Sequence, residues 1–241
     1  DGNVYETVLI GDQNWMKQNL KVAHYRNGDD IATGLSNSEW SNTSSGAYAV
    51  HNDDPSNAEI YGNLYNWHSV NDDREVCPEN FHVPSDDEYT NLTDFLGGED
   101  IAGGKMKESG FEHWDSPNTG ATNESGFTGL PAGDRNPNGN FGNISASGYF
   151  WSSSIDENSS NEIGAWSREL AKTNSELYIC YCEKNRGKSI RCLQDDLIEG
   201  CTDSLAINDT YDPLANTNDG SCEYPDNGDY SLSFDGVDDY V

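Results

Sequence analysis

The sequence predicts an α+β fold with small antiparallel sheets, few helices and long loops, followed by a small disulfide-closed acidic segment. Three observations favour it: short strand-like runs between turn residues, one well-marked helix signal, and many recurring Gly and Asn residues. Leu, Ile, Val and Phe make up only about 17% of the 241 residues, which is low for a folded domain. Six Trp and 13 Tyr compensate, because each aromatic side chain can bury about 150–250 Å².

The first predicted elements are two strands and a helix. Residues 5–11 and 15–20 are expected to form short strands. Ser85 and Glu88 predict the start of a helix, because each side chain can bind the other residue's backbone amide in a capping box. The helix is expected to end at the glycine pair 97–98, and its buried face is expected to consist of Tyr89, Leu92, Phe95 and Leu96.

The second half of the large domain is expected to contain mainly loops and short strands. Residues 150–153, 165–170 and 189–193 have strand-like patterns. The glycine-rich stretch 109–148 is too long for an ordinary connection. We therefore expect it to be organised by its aromatic side chains, which are Phe111, Trp114, Phe127, Phe141 and Tyr149.

The charge of the chain limits its partners and marks a boundary. Thirteen basic and 43 acidic residues give a formal net charge of −30, which repels nucleic-acid phosphates, so we expect no DNA or RNA partner. Residues 195–241 hold 13 acidic residues and no Lys or Arg, and this change of composition places a domain boundary within residues 194–200. With no apolar run of about 20 residues and no leader pattern, we expect no membrane insertion.

The cysteines and histidines point to structural roles. Six cysteines suggest up to three disulfides in an oxidising compartment, in any of 15 connectivities. No CxxC metal knuckle occurs. His82 beside Cys77 could form a nucleophilic pair, but a structural role is favoured, and the other histidines have no metal-binding spacing. We therefore expect a protein that is not an enzyme.

A series of sequence blocks identifies a family resemblance. In chain order they include Gly11-Asp12-Gln13-Asn14-Trp15, Tyr61-Gly62-Asn63-Leu64-Tyr65-Asn66-Trp67, Phe81-His82-Val83-Pro84-Ser85, Gly129-Leu130-Pro131-Ala132-Gly133, Phe150-Trp151-Ser152-Ser153 and Ser189-Ile190-Arg191-Cys192. Over about residues 1–196 the chain resembles the Fibrobacter succinogenes major paralogous domain. The resemblance implies a C-type-lectin-like fold, which formylglycine-generating enzymes and variable proteins of diversity-generating retroelements also use. A relation in fold does not by itself assign a function.

With this resemblance in place, we predict two disulfides. Cys77–Cys192 would join the helix entrance to the final strand, and Cys201–Cys222 would close the acidic segment. Cys180 and Cys182 lie in a stretch that related sequences vary, so we expect no structural role for them. Formylglycine-generating enzymes carry active cysteines near this end of the sheet, but no base lies nearby in sequence here, which disfavours oxidase chemistry. The calcium-binding and sugar-binding triplets of C-type lectins do not occur either.

The acidic segment carries a second resemblance. Residues 200–222 look like a short cysteine-bounded repeat found between domains of secreted Bacteroidota proteins, similar to acidic calcium-binding linkers. Carboxylate and amide oxygens suit calcium, and the candidate ligands are Asp203, Asp212, Asn216, Asn218 and Asp219. A solvated acidic linker held only by its disulfide is an equal alternative.

Residues 230–241 look like the opening strand of a concanavalin-like or laminin-G-like jelly roll. One such strand cannot fold alone, so we expect a piece of a longer protein. The predicted domains are residues 1–196, 197–226 and 227–241.

A binding surface is predicted near the last strands of the large domain. In residues 165–170, Trp166, Arg168 and Leu170 are expected to face inward, and the residues between them to face solvent. Residues 178–181 carry large apolar groups whose exposure would indicate a partner, although the two tyrosines could instead pack beneath a loop of their own domain. The predicted ligand-binding residues are Ser167, Glu169, Lys172, Tyr178, Ile179 and Tyr181.

These observations predict a non-enzymatic binding or adhesion module of a large secreted or cell-surface bacterial protein. Its variable loop surface would bind a protein or glycan ligand. The alternatives are a structural spacer or filament subunit, which would self-associate, and an accessory domain of a glycan-active enzyme. Each alternative places the chain in the extracellular space or on the cell surface, and calcium is the only cofactor expected.

Overall fold

The computed structural model describes residues 1–155, 164–196, 199–206, 210–213, 215 and 217–224. The chain divides into two compact units, Asp1–Gln194 and Asp195–Val241. This division lies inside the stretch where the change of composition predicts a boundary. The predicted jelly-roll strand in residues 227–241 lies outside the described residues.

The elements of both units are short. The helices are α1 (Asn37–Asn42), α2 (Pro55–Tyr61), α3 (Trp67–Val70), α4 (Asp86–Phe95) and α5 (Glu99–Met106), with a 3-10 turn at His51–Asp53. The strands of the large unit are β1 (Thr7–Ile10), β2 (Gln13–Met16), β3 (Tyr48–Ala49), β4 (Leu64–Tyr65), β5 (Phe81–His82), β6 (Asp134–Arg135), β7 (Phe141–Gly142), β8 (Ser147–Trp151), β9 (Gly164–Ala171), β10 (Leu177–Glu183) and β11 (Leu193–Gln194). The small unit contains β12 (Glu199–Gly200) and β13 (Thr217–Asn218).

The strands form several small sheets, as predicted. One antiparallel sheet has the order β1-β2-β11-β5, and a second has the order β10-β9-β8, with β9 in the centre. β3 pairs with β4 and β6 with β7, both antiparallel, whereas β12 and β13 of the small unit are parallel. The predicted strand at residues 189–193 is mostly absent. Only Leu193 lies in a strand, β11, and Ser189 forms an isolated bridge to Phe150. The described architecture is therefore α+β with few helices.

Helix α4 begins as the sequence predicts. The Ser85 side chain accepts a hydrogen bond from the Glu88 amide, and the Glu88 carboxylate accepts one from the Ser85 amide. Tyr89, Leu92 and Leu96 are buried, but Phe95 is 64% exposed, so its predicted burial is wrong. Its ring covers the turn at Gly11, where an added Cβ would lie 3.1 Å from the ring.

Helix α5 is absent from the sequence prediction because glycines interrupt its pattern. Gly98 separates α4 from α5 with a φ of +100°, and Gly103 and Gly104 lie inside α5. A Cβ at Gly103 would lie 2.1 Å from the Glu176 carbonyl oxygen, and one at Gly104 would lie 2.5 Å from the Gly120 carbonyl oxygen. The glycines therefore allow α5 to approach the backbone before β10. They also remove the side-chain pattern by which a helix is recognised in a sequence.

Aromatic side chains fill the core, as predicted, but Phe111 is 65% exposed, so the expectation that it helps to organise residues 109–148 is wrong. Trp15, Trp40, Trp67, Trp114 and Trp151 are all buried. One cluster surrounds the Cys77–Cys192 disulfide, and another lies between α4, α5 and the sheet of β8 to β10. Ring contacts between tryptophan, tyrosine and phenylalanine side chains provide packing that the few aliphatic residues cannot.

Buried cations connect loops to this core. Lys107 is fully buried and its Nζ donates to the carbonyl oxygens of Thr119, Ala171 and Asn174 at 2.7–2.9 Å. Burial lowers the pKa of Lys107 to about 8. The Arg191 guanidinium, also fully buried, donates to the Asn19 side chain and to main-chain carbonyls that include those of Met16 and Phe127. These bonds fix segments that have no regular secondary structure.

The structure contains three disulfides. Cys77 pairs with Cys192 and Cys201 pairs with Cys222, which are the two expected pairings. Cys180 pairs with Cys182 within β10, a bond that the sequence analysis did not predict. Both cysteines point to the same face of the strand, which is why neighbours two residues apart can meet.

Candidate functional site

The predicted binding residues lie on the sheet of β8, β9 and β10. In its register Ser167 pairs with Cys180 and Trp151, and Glu169 pairs with Tyr178 and Tyr149. We call the face that carries these side chains the Ser167 face. The opposite face, which we call the Arg168 face, carries Trp166, Arg168, Leu170, Leu177, Phe150, Ile179 and Tyr181.

The Arg168 face is turned toward the core, as predicted for this part of β9. Leu170 is fully buried and Arg168 is 1% exposed. The Arg168 guanidinium forms an ion pair with Asp86 at 2.6 Å, which connects β9 to the first turn of α4. Trp166 is half-buried and its ring lies edge-on against Tyr181, with 5.1 Å between the centroids. The apolar side chains at this end of the face are therefore only partly covered.

The prediction that Ser167 faces solvent is wrong. Ser167 is fully buried, and its Oγ accepts a 2.7 Å hydrogen bond from the Lys188 Nζ. β9 is the central strand, and Lys188 covers this position from outside the sheet. Glu169 is half-buried and accepts a hydrogen bond from Ser147, and Lys172 forms a 3.1 Å ion pair with Asp115. Alternation within one strand predicts two faces, but it does not predict that both are covered.

The outer strand β10 exposes two of its three predicted apolar residues. Tyr178 and Ile179 are each 43% exposed, whereas Tyr181 is half-buried against Trp166. Tyr178 lies on the Ser167 face and Ile179 on the Arg168 face. The exposed residues therefore belong to one strand edge, not to one flat patch.

A polar pocket that the sequence did not indicate lies at the C-terminal end of β10. Its volume is about 540 Å³, and it is lined by Ser41, His68, Pro137, Asn138, Glu183, Lys184 and Asn185. The Asn185 side chain contacts the His68 Nε2 at 3.0 Å and donates to the Ser41 carbonyl at 3.1 Å. Because four separate segments build it, no local motif could have predicted this pocket.

The residues considered above as a nucleophilic pair, Cys77 and His82, form structural contacts instead. Cys77 is in a disulfide, and the His82 Nε2 lies 2.9 Å from a Glu88 carboxylate oxygen, in agreement with the structural role favoured above. Burial alone would raise the pKa of Glu88, but hydrogen bonds from His82 and Ser85 outweigh it and lower this pKa to about 2. These contacts stabilise the entrance to α4.

Among the described residues, one group of acid and histidine side chains is close enough to share a metal ion. Ligand atoms of Glu108, Glu112 and His113 lie within 4.8 Å of one another. The His113 Nδ1 lies 2.9 and 3.0 Å from the two Glu108 oxygens. This arrangement is that of an ordinary Glu–His ion pair, and we assign no metal to it.

The predicted calcium ligands of the small unit take part in turns. Asp203 accepts hydrogen bonds from the Leu205 amide and the Tyr224 hydroxyl, each at 2.8 Å. The Asn218 and Asp219 side chains accept bonds from amides two residues later in the chain. Asp212 lies beside Gly200, and Asn216 lies outside the described residues. Within the described part of this unit, no three acidic side chains converge on one point.

The large unit is thus an α+β, disulfide-linked domain with an aromatic core, buried cations and a partly exposed outer strand. The chain belongs to the Fibrobacter succinogenes major domain family, whose model matches residues 8–194. Comparison with curated proteins and with solved structures gives no significant match. No helix in the described ranges is both long and apolar enough to cross a membrane.

Proposed function

We propose that the large unit is a non-enzymatic binding module of a secreted or cell-surface protein, and that its ligand is an extended protein segment. The proposed fold relation is to C-type-lectin-like domains. The three disulfides support an extracellular setting, because such bonds persist in oxidising compartments.

The observation that carries the proposal is the outer position of β10 together with the exposure of Tyr178 and Ile179. A strand that pairs with the edge of β10 would have neighbours on both faces of the sheet. It could contact Tyr178 on the Ser167 face and Ile179 on the Arg168 face at once. Addition of a strand to a sheet edge is a common mode of peptide recognition, and it explains why exposed residues on opposite faces can serve one ligand.

The polar pocket gives the ligand a second contact. Glu183 ends β10, and Lys184 and Asn185 follow it directly, so a segment that runs along β10 reaches the pocket. Main-chain pairing would supply affinity, and the pocket would select a polar side chain of the ligand. Selectivity of this kind distinguishes a binding module from a spacer.

The test is to screen the chain against arrays of cell-surface proteins and glycans, and then to compare two variants. We expect Tyr178→Ser combined with Ile179→Thr to weaken protein binding by about tenfold or more, because exposed anchor residues carry most interface energy. Leu9→Thr is the matched control, since Leu9 is 68% exposed on β1, the outer strand of the other sheet. Glycan hits would favour a lectin or an accessory domain of an enzyme. Concentration-dependent self-association without any selective ligand would favour a filament subunit or spacer.

A further inference from the structure

The Ser167 face contains a buried positive charge that forms no ion pair with any described residue. Lys188 is 1% exposed, and its Nζ donates to the Ser167 Oγ at 2.7 Å. The Nζ also lies 5.2 Å from the Tyr149 ring centroid and 4.8 Å from that of Trp151. Burial is the main cause that lowers the pKa of Lys188 to about 7. The charges of Asp134 and Glu169 partly offset this lowering, but neither carboxylate forms an ion pair with the Lys188 Nζ.

The Cys180–Cys182 disulfide lies one side chain away from this charge. Cys180 is the cross-strand neighbour of Ser167 on β9. The Ser167 hydroxyl has two acceptors in reach, the Cys180 carbonyl oxygen at 3.2 Å and the Cys182 Sγ at 3.9 Å. Both cysteines are half-buried on the outer strand, and Cys182 packs against the core cluster around Cys77–Cys192.

Reduction of this disulfide would change the electrostatics of the Ser167 face. A disulfide sulfur is uncharged, whereas its reduction can yield a thiolate. A thiolate at Cys182 would accept the Ser167 hydroxyl hydrogen bond, and the Lys188 ammonium strengthens that donor from behind. The Lys188 ammonium and the Cys182 thiolate would then be opposite charges on either side of the Ser167 hydroxyl group. These contacts stabilise the reduced state, and stabilisation of the reduced state makes a disulfide easier to reduce.

We propose that Cys180–Cys182 is a thiol–disulfide exchange site for small thiols, with Ser167 and Lys188 stabilising the departing Cys182 thiolate. The thiolate of a small thiol attacks the Cys180 Sγ, a mixed disulfide forms, and the electron pair of the broken bond remains on the Cys182 Sγ. A second small thiolate attacks the small thiol's sulfur and releases Cys180, which takes a proton from water. Two small thiols become one disulfide, and the protein gains two electrons.

The Cys77–Cys192 disulfide serves as a comparison inside the same molecule. Cys77 and Cys192 are 2% and 0% exposed and lie 115 positions apart, so their bond is shielded and constrains a long loop. Cys180 and Cys182 are two positions apart, so their bond constrains almost nothing in the unfolded chain. The exchange site can therefore open without loss of the fold, and it does not depend on the proposed ligand of β10.

The experiment equilibrates the whole chain with reduced and oxidised glutathione under native conditions, followed by alkylation and mass spectrometry. We expect Cys180 and Cys182 to be reduced where Cys77 and Cys192 remain oxidised. We also expect Cys182 to be alkylated faster than Cys180, because the thiolate is the reactive form. Ser167→Ala is expected to shift the equilibrium toward the disulfide by about tenfold, as loss of a hydrogen bond to a charged group does.

Ser189→Ala is the matched control. Ser189 is fully buried one residue from Lys188, but its Oγ accepts from the Asn19 side chain at 3.2 Å and does not contact the disulfide. Reduction of Cys180–Cys182 only together with Cys77–Cys192 would overturn the proposal, as would equal shifts in the two alanine variants. Should Ser167→Ala fail to fold, the order of reduction and the alkylation rates of the unaltered chain decide the question alone.

Discussion

Replacement of Glu88 by Gln tests how the entrance of α4 is stabilised. The Glu88 carboxylate binds the Ser85 amide and hydroxyl and lies 2.9 Å from the His82 Nε2. These bonds lower the pKa of Glu88 from 4.5 to about 2 despite its burial. At about 1.36 kcal/mol per pKa unit, this lowering of the pKa corresponds to about 3 kcal/mol. Because the side chain is 30% exposed, solvent screening reduces our expected loss on Glu88→Gln to about 1–2 kcal/mol at pH 7.

The pH dependence of this loss has a definite sign. A carboxyl group whose folded-state pKa is lowered stabilises the fold above its unfolded-state pKa, here 4.5, and that contribution fades as the pH falls toward 2. The difference between the unaltered chain and Glu88→Gln should therefore be complete at pH 7 and shrink between pH 5 and pH 3. A titrating group elsewhere in the chain would change the free energy of unfolding of the unaltered chain and of Glu88→Gln equally.

The assay is urea unfolding followed by tryptophan fluorescence at several pH values. All six tryptophans lie before residue 195, so the signal reports the large unit. Asp87→Asn is the matched control, because Asp87 is exposed in the same helical turn and contributes mainly through the helix dipole, worth about 0.5 kcal/mol. A loss for Glu88→Gln that stays constant from pH 7 to pH 3, or that equals the loss for Asp87→Asn, would refute the reasoning.

Three further measurements test other parts of the structure. Changing Cys77 and Cys192 together to Ser should lower the free energy of unfolding by about 4–5 kcal/mol, because the bond closes a long loop, and an unchanged urea midpoint would contradict this. Arg191→Met should cost about 3–5 kcal/mol in the same assay, since it leaves several buried acceptors without a donor; a loss below 1 kcal/mol would argue against it. Calorimetric titration of the chain with millimolar calcium should give heat that Asp203→Asn reduces, and the absence of heat would leave the acidic segment as a solvated linker.

The parts of the fold that depend on near neighbours in the sequence could be predicted. The capping box of α4 is complete within four residues, and the alternation of β9 correctly places Arg168 and Leu170 in the core. The change of composition predicts a boundary within residues 194–200, and the two compact units divide inside that stretch. In each case the chemistry that decides the structure is local, so the pattern is sufficient.

The parts that depend on contact between distant segments could not be predicted. Helix α5 packs closely against the backbone of two other segments at Gly103 and Gly104, and Ser167 is buried because Lys188 covers its face of the sheet. The assignment of Tyr178 and Ile179 to opposite faces was available from strand alternation, because adjacent residues point in opposite directions. The pocket beside β10 needed the folded loops themselves.

The hydrogen bonds from Arg191 and Lys107 to main-chain oxygens affect which sequence changes this domain can tolerate. Lys107 binds the carbonyls of Thr119, Ala171 and Asn174, and every amino acid offers the same carbonyl. Substitutions at those three positions would leave the bonds in place, whereas substitution of the lysine would break all of them. A few buried cations therefore hold the loop backbones in place whatever side chains the loops carry. This makes the domain a suitable starting point for libraries of randomised loops.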